Sequence, residues 1–187
     1  MTVLSNGSIK RLIELDKLVE NYASMKDQLQ PASFDFRLGE SMKIAGYAHM
    51  ALDPFDRSSL ENSMAELPLI KDANGDAYWL IEPYDFCLAY TMEKVNIPTH
   101  VGCQVSGRSS IGRLGLFIHI TAGWVDPGFS GHVTLEIYNA NPRPLILRPA
   151  MKIGQFIFQY LDVESTCPYS GRYQNQSASP EISRFVQ

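Results

Sequence analysis

From about residue 77 the chain is written in short apolar or alternating runs: "AYWLIEPYDF", "CLAYTMEKV", "LGLFIHIT", "GHVTLEIYN", "PLILRP" and "MKIGQFIFQYLDV". Gly, Pro, Asn and Asp separate them. Side chains alternate between the two faces of a strand, so such runs, punctuated by turn formers, specify β-structure with one face buried. Helical patterning is confined to the N-terminal part. There Ile9, Leu12, Ile13, Leu15, Leu18, Val19 and Tyr22 recur at helical spacing and predict one amphipathic helix. A second, shorter helix is expected to start at Ser58, where Ser58 and Glu61 have capping-box spacing. With one or two short helices and many strands, the expectation is a mainly β fold, a sandwich or barrel of antiparallel strands.

At 187 residues the chain reads as one domain, residues 1–187, with 45% hydrophobic and 19% charged residues, which excludes disordered and fibrous classes. A net charge of -4 argues against a surface that lies along polymeric nucleic acid or an anionic membrane, but not against a pocket for a small anion. Cys87, Cys103 and Cys167 lie far apart and form no C-x-x-C pair, so neither a disulfide framework nor a zinc motif is indicated. "MTVLSNGSIKRLIELDK" has no apolar signal core and no run reaches membrane-spanning length, so a cytoplasmic location is expected. The N-x-S triplets at Asn6 and Asn175 then carry no glycosylation. The polar, Ser-rich "YSGRYQNQSASPEISRFVQ" is expected to be mobile on its own.

Three segments could carry chemistry. In "SGRSSIGR" the glycines permit close backbone approach, the serines offer hydroxyl and N–H groups, and Arg108 and Arg113 can fork onto phosphate oxygens. The same residues could equally form an exposed Gly-Ser turn. Neither G-x-x-x-x-G-K-[ST] nor G-x-G-x-x-G occurs, so this is no nucleoside-triphosphatase or dinucleotide loop. In "AGWVDPGFSGH" glycines and a proline surround Asp126, as expected of an irregular connection that brings backbone groups toward a ligand. Asp126 could be a plain turn carboxylate, or a base or partner of Mg2+-bound water. Strand period puts His132, Thr134, Glu136 and Tyr138 on one face of "HVTLEIY" and Val133, Leu135 and Ile137 on the other. Glu136 alone would read as a solvent-facing glutamate.

Taken together, "GRSSIGRLGLFIHITAGWVDPGFSGHVTLEIYN" resembles the signature of the deoxycytidine triphosphate (dCTP) deaminases of the dUTPase-like superfamily. The resemblance continues upstream through "SFDFRLGESMKI" and "LIEPYDFCLAYTMEKVNIP", and downstream through "LRPAMKIGQFIF" and "RYQNQ". It covers most of the chain past the first thirty residues except the stretch around 50 to 75.

That resemblance implies a distorted jelly-roll or β-barrel subunit, a homotrimer, and active sites at subunit boundaries. Carried onto this chain, Glu136 would be the general base that activates water for attack at cytosine C4 and returns a proton toward the departing ammonia. Ser109 and Arg113 would hold that water and the glutamate. The backbone near Thr121 and Ala122 would fix the pyrimidine edge, and Arg108, Ser109 and Ser110 would contact the triphosphate. The resemblance extends the nucleotide contacts to Ile111, Gly112, Thr134, Leu135 and Gln155. A closing C-terminal segment, residues 168–187, would add Tyr169, Arg172 and Gln176. This segment departs from the family pattern: "PYSGRYQNQ" is short, and Arg172 stands where lysine is common. One carboxyl group that takes and then gives a proton serves both the attack and the departure of ammonia. The H-x-E and P-C-x-x-C ligands of zinc deaminases are absent, so attack without zinc is expected, with Mg2+ travelling on the triphosphate.

The leading expectation is deamination of dCTP to dUTP and ammonia; the alternative is a bifunctional enzyme that continues to dUMP and pyrophosphate. Strictly deaminating members tend to carry His-Arg after the alanine, whereas Gly123 and Trp124 stand here, and Gln155 in "KIGQFIF" points toward the bifunctional branch. Asp126 would then orient the water attacking the α-phosphorus. A non-catalytic trimer that binds a nucleotide or a protein is the reading from another class, and inhibition by dTTP is a family-level expectation. Trp79, Phe156 and Phe158 are expected in the core, His49 and His100 at the surface or in turns, and His119 beside the site.

Overall fold

A computed structural model describes residues 2–46 and 51–185; the expectation for His49 lies outside the described residues. In chain order the elements begin with β1 (Thr2–Val3), α1 (Asn6–Asp16), β2 (Val19–Glu20), α2 (Met25–Gln28), β3 (Leu29–Gln30), β4 (Ser33–Arg37) and β5 (Lys43–Ala45). Then come α3 (Arg57–Glu61), β6 (Met64–Glu66), β7 (Ile70–Lys71), β8 (Ala77–Ile81), β9 (Phe86–Asn96) and β10 (Val101–Gly107). The chain continues through α4 (Ser109–Gly112), β11 (Leu116–Phe117), β12 (Trp124–Val125), β13 (Ser130–Asn139), β14 (Leu145–Leu147) and β15 (Lys152–Tyr160). The fold is mainly β, as the alternation requires.

Two six-stranded antiparallel sheets carry it. One runs β12-β10-β15-β4-β3, with β1 on the far end of β15; the other runs β11-β13-β9-β5-β6, with β2 on β9. A bridge between Leu38 and Thr91 ties the end of β4 to β9. The smaller sheet β14-β8-β7 lies apart from both. The sheets are distorted and, among the described residues, do not join into one closed barrel. Between them Phe34, Phe36, Phe156, Phe158, Trp79, Leu135 and Ile137 are fully buried, so the expected core aromatics are core. Phe36 and Phe156 pack with ring centroids 4.6 Å apart, and a Cβ on Gly154 would lie 2.2 Å from the Phe36 ring. That close aromatic packing requires glycine there.

The helices differ from expectation in number and extent. Four occur among the described residues, and three of them are short. α1 ends at Asp16 because Lys17 turns left-handed (φ 53°) and donates its N–H to Leu12 O, so Leu18 and Val19 reach the core from non-helical chain. α3 forms where Ser58 pointed, but Asp56 is its cap, accepting from the Ser58 N–H at 2.9 Å, and the box with Glu61 does not form. "GRSSIGR" is likewise no plain turn; it winds into α4 with Arg108 at its N-cap.

Candidate active site

The alternation along β13 is what aims Glu136. Leu135 and Ile137 point into the core on one face, and Glu136, opposite Leu88 of β9, stays half-buried on the other. The β13–β9 pairing is irregular between His132 and Thr134, where three β9 residues face the single Val133. The irregularity brings Val133 to the same wall as Thr134 and Glu136, contrary to the simple alternation. The Val133 N–H donates to Thr91 Oγ1 at 3.0 Å, which satisfies the backbone where the ladder breaks.

That wall belongs to a cavity of about 920 Å3. Glu136, Asp126, Ala122, Thr134, Tyr169 and Gln176 all line it, so the structure brings together six of the residues singled out from sequence. The Ile120 N–H donates to Glu136 Oε2 at 3.0 Å and fixes the carboxylate. Thr121 is exposed beside Ala122 without lining the cavity, and Leu135 contributes only backbone, because its side chain is in the core.

The second cluster lies elsewhere on the subunit. Arg108, Ser109, Ser110, Gly112 and Arg113 do not line the cavity; all but half-buried Arg108 are exposed, while Ile111 is buried in the core. Arg108 Nη2 lies 3.5 Å from buried Asp35 Oδ2. Gln155, on β15, accepts from Ser33 Oγ at 2.8 Å and reaches Gly107 O. Arg172 is exposed, donates to Arg184 O, and also stays off the cavity wall.

The C-terminal segment, expected to be mobile alone, is docked along β13. Tyr169 N–H donates to Pro127 O (2.8 Å), Asn175 N–H to Ser130 O (2.8 Å) and His132 N–H to Gln176 O (3.0 Å). The Gln176 side-chain amide donates to Thr134 Oγ1, and Tyr169 packs edge-on to Phe129. Gly128 and Gly131, read from sequence as openings toward a ligand, instead admit this tail. A Cβ on Gly128 would lie 2.8 Å from the Tyr169 nitrogen, and one on Gly131 2.7 Å from the Gln176 nitrogen.

Gly123 is tight for a different reason: a Cβ there would lie 3.0 Å from the His119 ring. His119 is half-buried beside this turn and off the cavity wall, as expected of a site neighbour, and its Nδ1 has no partner among the described residues. His100 is half-buried and stacked on Tyr160.

Sequence reasoning missed much of the rest of the lining. Asp53, Asp56 and Leu60 come from the segment around α3, Phe86 and Leu88 from β9, and Glu181 to Ser183 from the tail. Only long-range packing assembles them. Among the described lining residues every ionisable acid or base other than tyrosine is acidic: Asp53, Asp56, Asp126, Glu136 and Glu181, the last paired with Arg184. Among the described residues no group of three or more His, Cys, Asp or Glu side chains is placed to hold a metal ion, and no helix is long and apolar enough to cross a membrane.

A family model described as dCTP deaminase-like matches residues 3–161. The chain belongs to that family. It is 40% identical over 98% of its length, and 98% of the relative's, to the "dCTP deaminase, dUMP-forming" of Persephonella marina. It is 35% identical over 99% of its length, and 94% of the relative's, to the protein of the same name in Methanosphaera stadtmanae. The fold is similar to a 2'-deoxycytidine 5'-triphosphate deaminase from Agrobacterium tumefaciens (TM-score 0.62, 24% identity, 85% of this chain); this chain spans 48% of that one.

Proposed function

We propose that the protein is a dUMP-forming dCTP deaminase, hydrolysing dCTP to dUMP, ammonia and pyrophosphate. One observation carries this reading: two carboxylates, Glu136 and Asp126, share one cavity wall, one for each hydrolysis. The relatives named dUMP-forming favour this product over dUTP, the leading expectation from sequence. Glu136 takes a proton from water as it adds to C4, then delivers one to the amino group, which leaves as ammonia. The Ile120 N–H keeps the carboxylate oriented through both transfers. Asp126 orients the second water toward the α-phosphorus, and pyrophosphate leaves.

A triphosphate does not enter a cavity of carboxylates without cations. Ser109, Arg113 and Arg108 supply donors and charge from a neighbouring subunit in a homotrimer, each site being formed where one copy's α4 region meets the next copy's cavity. Mg2+ fits the remaining donors, phosphate oxygens with Asp126, since hard cations favour oxygen ligands; when bound it neutralises phosphate charge. The test is incubation with dCTP and Mg2+ while ammonia, dUTP, dUMP and pyrophosphate are resolved over time. Ammonia and dUMP should rise together, and Glu136→Gln should abolish both while leaving the melting temperature close to the parent's. No ammonia from the parent refutes the deaminase reading and favours a binding protein; dUTP accumulating without dUMP refutes the second hydrolysis.

A further inference from the structure

Behind the α4 region lies a charge arrangement that the proposed reaction has not used. Asp35 on β4 is 2% exposed, and two cations converge on its Oδ2: Arg108 Nη2 at 3.5 Å and Lys152 Nζ at 3.8 Å. Sharing one carboxylate oxygen keeps the two cationic nitrogens side by side, so both can face one polyphosphate chain. The side chains of Arg108 and Lys152 are 33% and 34% exposed, so both present charge to solvent while the carboxylate beneath them does not. One buried negative charge against two positive charges leaves a net positive spot in an acidic protein.

The neighbours are arranged to keep it there. Gln30 Nε2 donates to the same Asp35 oxygen at 3.4 Å, and Lys152 Nζ donates to Asp27 O at 2.7 Å, which leaves ammonium protons of Lys152 for a ligand. Asp35 pairs in register with Gln155, whose side-chain oxygen is occupied by Ser33 Oγ. Ser33 and Asp35, alternate residues of one strand, thus sit beneath Gln155 and Arg108. Burial pushes the Asp35 carboxyl up, and Arg108 and Lys152 oppose that rise.

We infer that Lys152 is a further phosphate-binding residue of the nucleotide site, paired with Arg108, and that Asp35 is the positioning residue that holds the two cations side by side. This rests on the placement of the triphosphate at Arg108 under the proposed function. A charge-assisted contact of this kind is worth about 1.5–3 kcal/mol, about ten- to a hundredfold in affinity.

The experiment measures steady-state kinetics with dCTP and dCMP, and binding of inorganic tripolyphosphate at several salt concentrations, for the parent, Lys152→Gln, Lys152→Arg, Asp35→Asn and Arg108→Gln, with melting temperatures alongside. Lys152→Gln should raise KM for dCTP about tenfold with little change in kcat, weaken tripolyphosphate binding and flatten its salt dependence, and raise KM for dCMP by a smaller factor than for dCTP. Lys152→Arg should restore most of the affinity. Asp35→Asn should weaken tripolyphosphate less than Arg108→Gln does, because it frees both cations without removing them. Should Arg108→Gln weaken binding while Lys152→Gln binds like the parent, Lys152 serves only to tie β15 to Asp27 and the inference is wrong. Should neither matter, the triphosphate is not at Arg108, and the proposal falls together with that placement.

Discussion

Gly128→Ala tests whether the tail is part of the cavity or merely near it. Gly128 has φ +91°, and an added Cβ would lie 2.6 Å from Pro168 Cβ and 2.8 Å from the Tyr169 nitrogen. The left-handed backbone costs an L-residue about 1–2 kcal/mol. Moving Tyr169 away also gives up its N–H bond to Pro127 O, about 1 kcal/mol net. The turn keeps its backbone strain whether or not the tail is docked, so the second cost alone, about 1 kcal/mol, shifts the docking equilibrium roughly fivefold. The docked tail is held by the Tyr169, Asn175 and Gln176 backbone bonds and by Gln174, whose side chain bridges Ser130 N–H and Gly128 O. Hydrogen exchange at the Asn175 and His132 amides and tryptic cleavage after Arg172 should both accelerate, while β9 and β15 amides remain protected. Gly75→Ala is the control: its φ is +87°, but nothing lies within 4 Å of the added Cβ, so it carries the backbone strain without the collision. If Gly128→Ala leaves exchange and cleavage at parental rates, or Gly75→Ala loosens the tail equally, close approach is not what Gly128 provides.

Two further perturbations probe the frame around the site. Glu93 has a fully buried side chain bound by Arg37 Nε (2.6 Å), the Arg37 N–H (2.7 Å) and Gln28 Nε2 (2.8 Å), so Arg37→Ala should cost about 3–5 kcal/mol in urea unfolding. Adding Glu93→Gln should recover part of that loss, and a single-variant cost under about 1 kcal/mol would mean that Gln28 and the backbone satisfy the carboxylate unaided. A thiol-specific chromogenic reagent at pH 8 should label Cys167 quickly and the other two cysteines only after denaturation. Burial, with Asp85 adding to it, pushes the Cys87 thiol up to about 12, and burial alone raises Cys103, so a second fast thiol in the native protein would contradict the packing of β9 or β10.

Strands with one buried face were legible because period two survives over much of β13 and β15, whereas β9 showed as an apolar run, since Cys87 to Thr91 are buried on both faces. β10, central in its sheet between β12 and β15, was not legible. "VGCQVSG" carries small residues where a one-faced strand would carry bulky ones, and the reason is tertiary: a Cβ on Gly102 would lie 2.2 Å from the Trp124 ring. "LGLFIHIT" erred the other way. Its apolar run promised a full strand, yet only Leu116–Phe117 pairs, because the chain then leaves the ladder to bring the Ile120 N–H onto Glu136. The end of α1 was hidden as well, since Lys17 is not a residue whose identity announces a left-handed turn. In the candidate site, Glu136 and Asp126 came from the family resemblance, since strand period alone left Glu136 facing solvent and the turn alone left Asp126 open. The wall built from Asp53 to Leu60 was not legible, because nothing local to those residues says what they will face.

Sequence proximity and spatial proximity part company at the central question of charge. Arg113 precedes Asp126 by 13 residues and Glu136 by 23, yet within one subunit the carboxylates line the cavity and the arginine does not. A single chain could not easily do otherwise: an arginine inside that cavity would be neutralised by its carboxylates before any phosphate arrived, and both would lose hydration for little gain. Leaving Arg108, Lys152 and Arg113 on a separate surface keeps their charge available. In the proposed trimer, a head-to-tail contact that closes into a ring would set that surface of each copy against the cavity of the next, without requiring either feature to recognise itself. Under the proposed trimer, the triphosphate with its Mg2+ is the component that lets acidic cavity and cationic patch meet. On that proposal an overall charge of -4 is no obstacle to an anionic substrate, because the local surplus of cations over Asp35 would hold it.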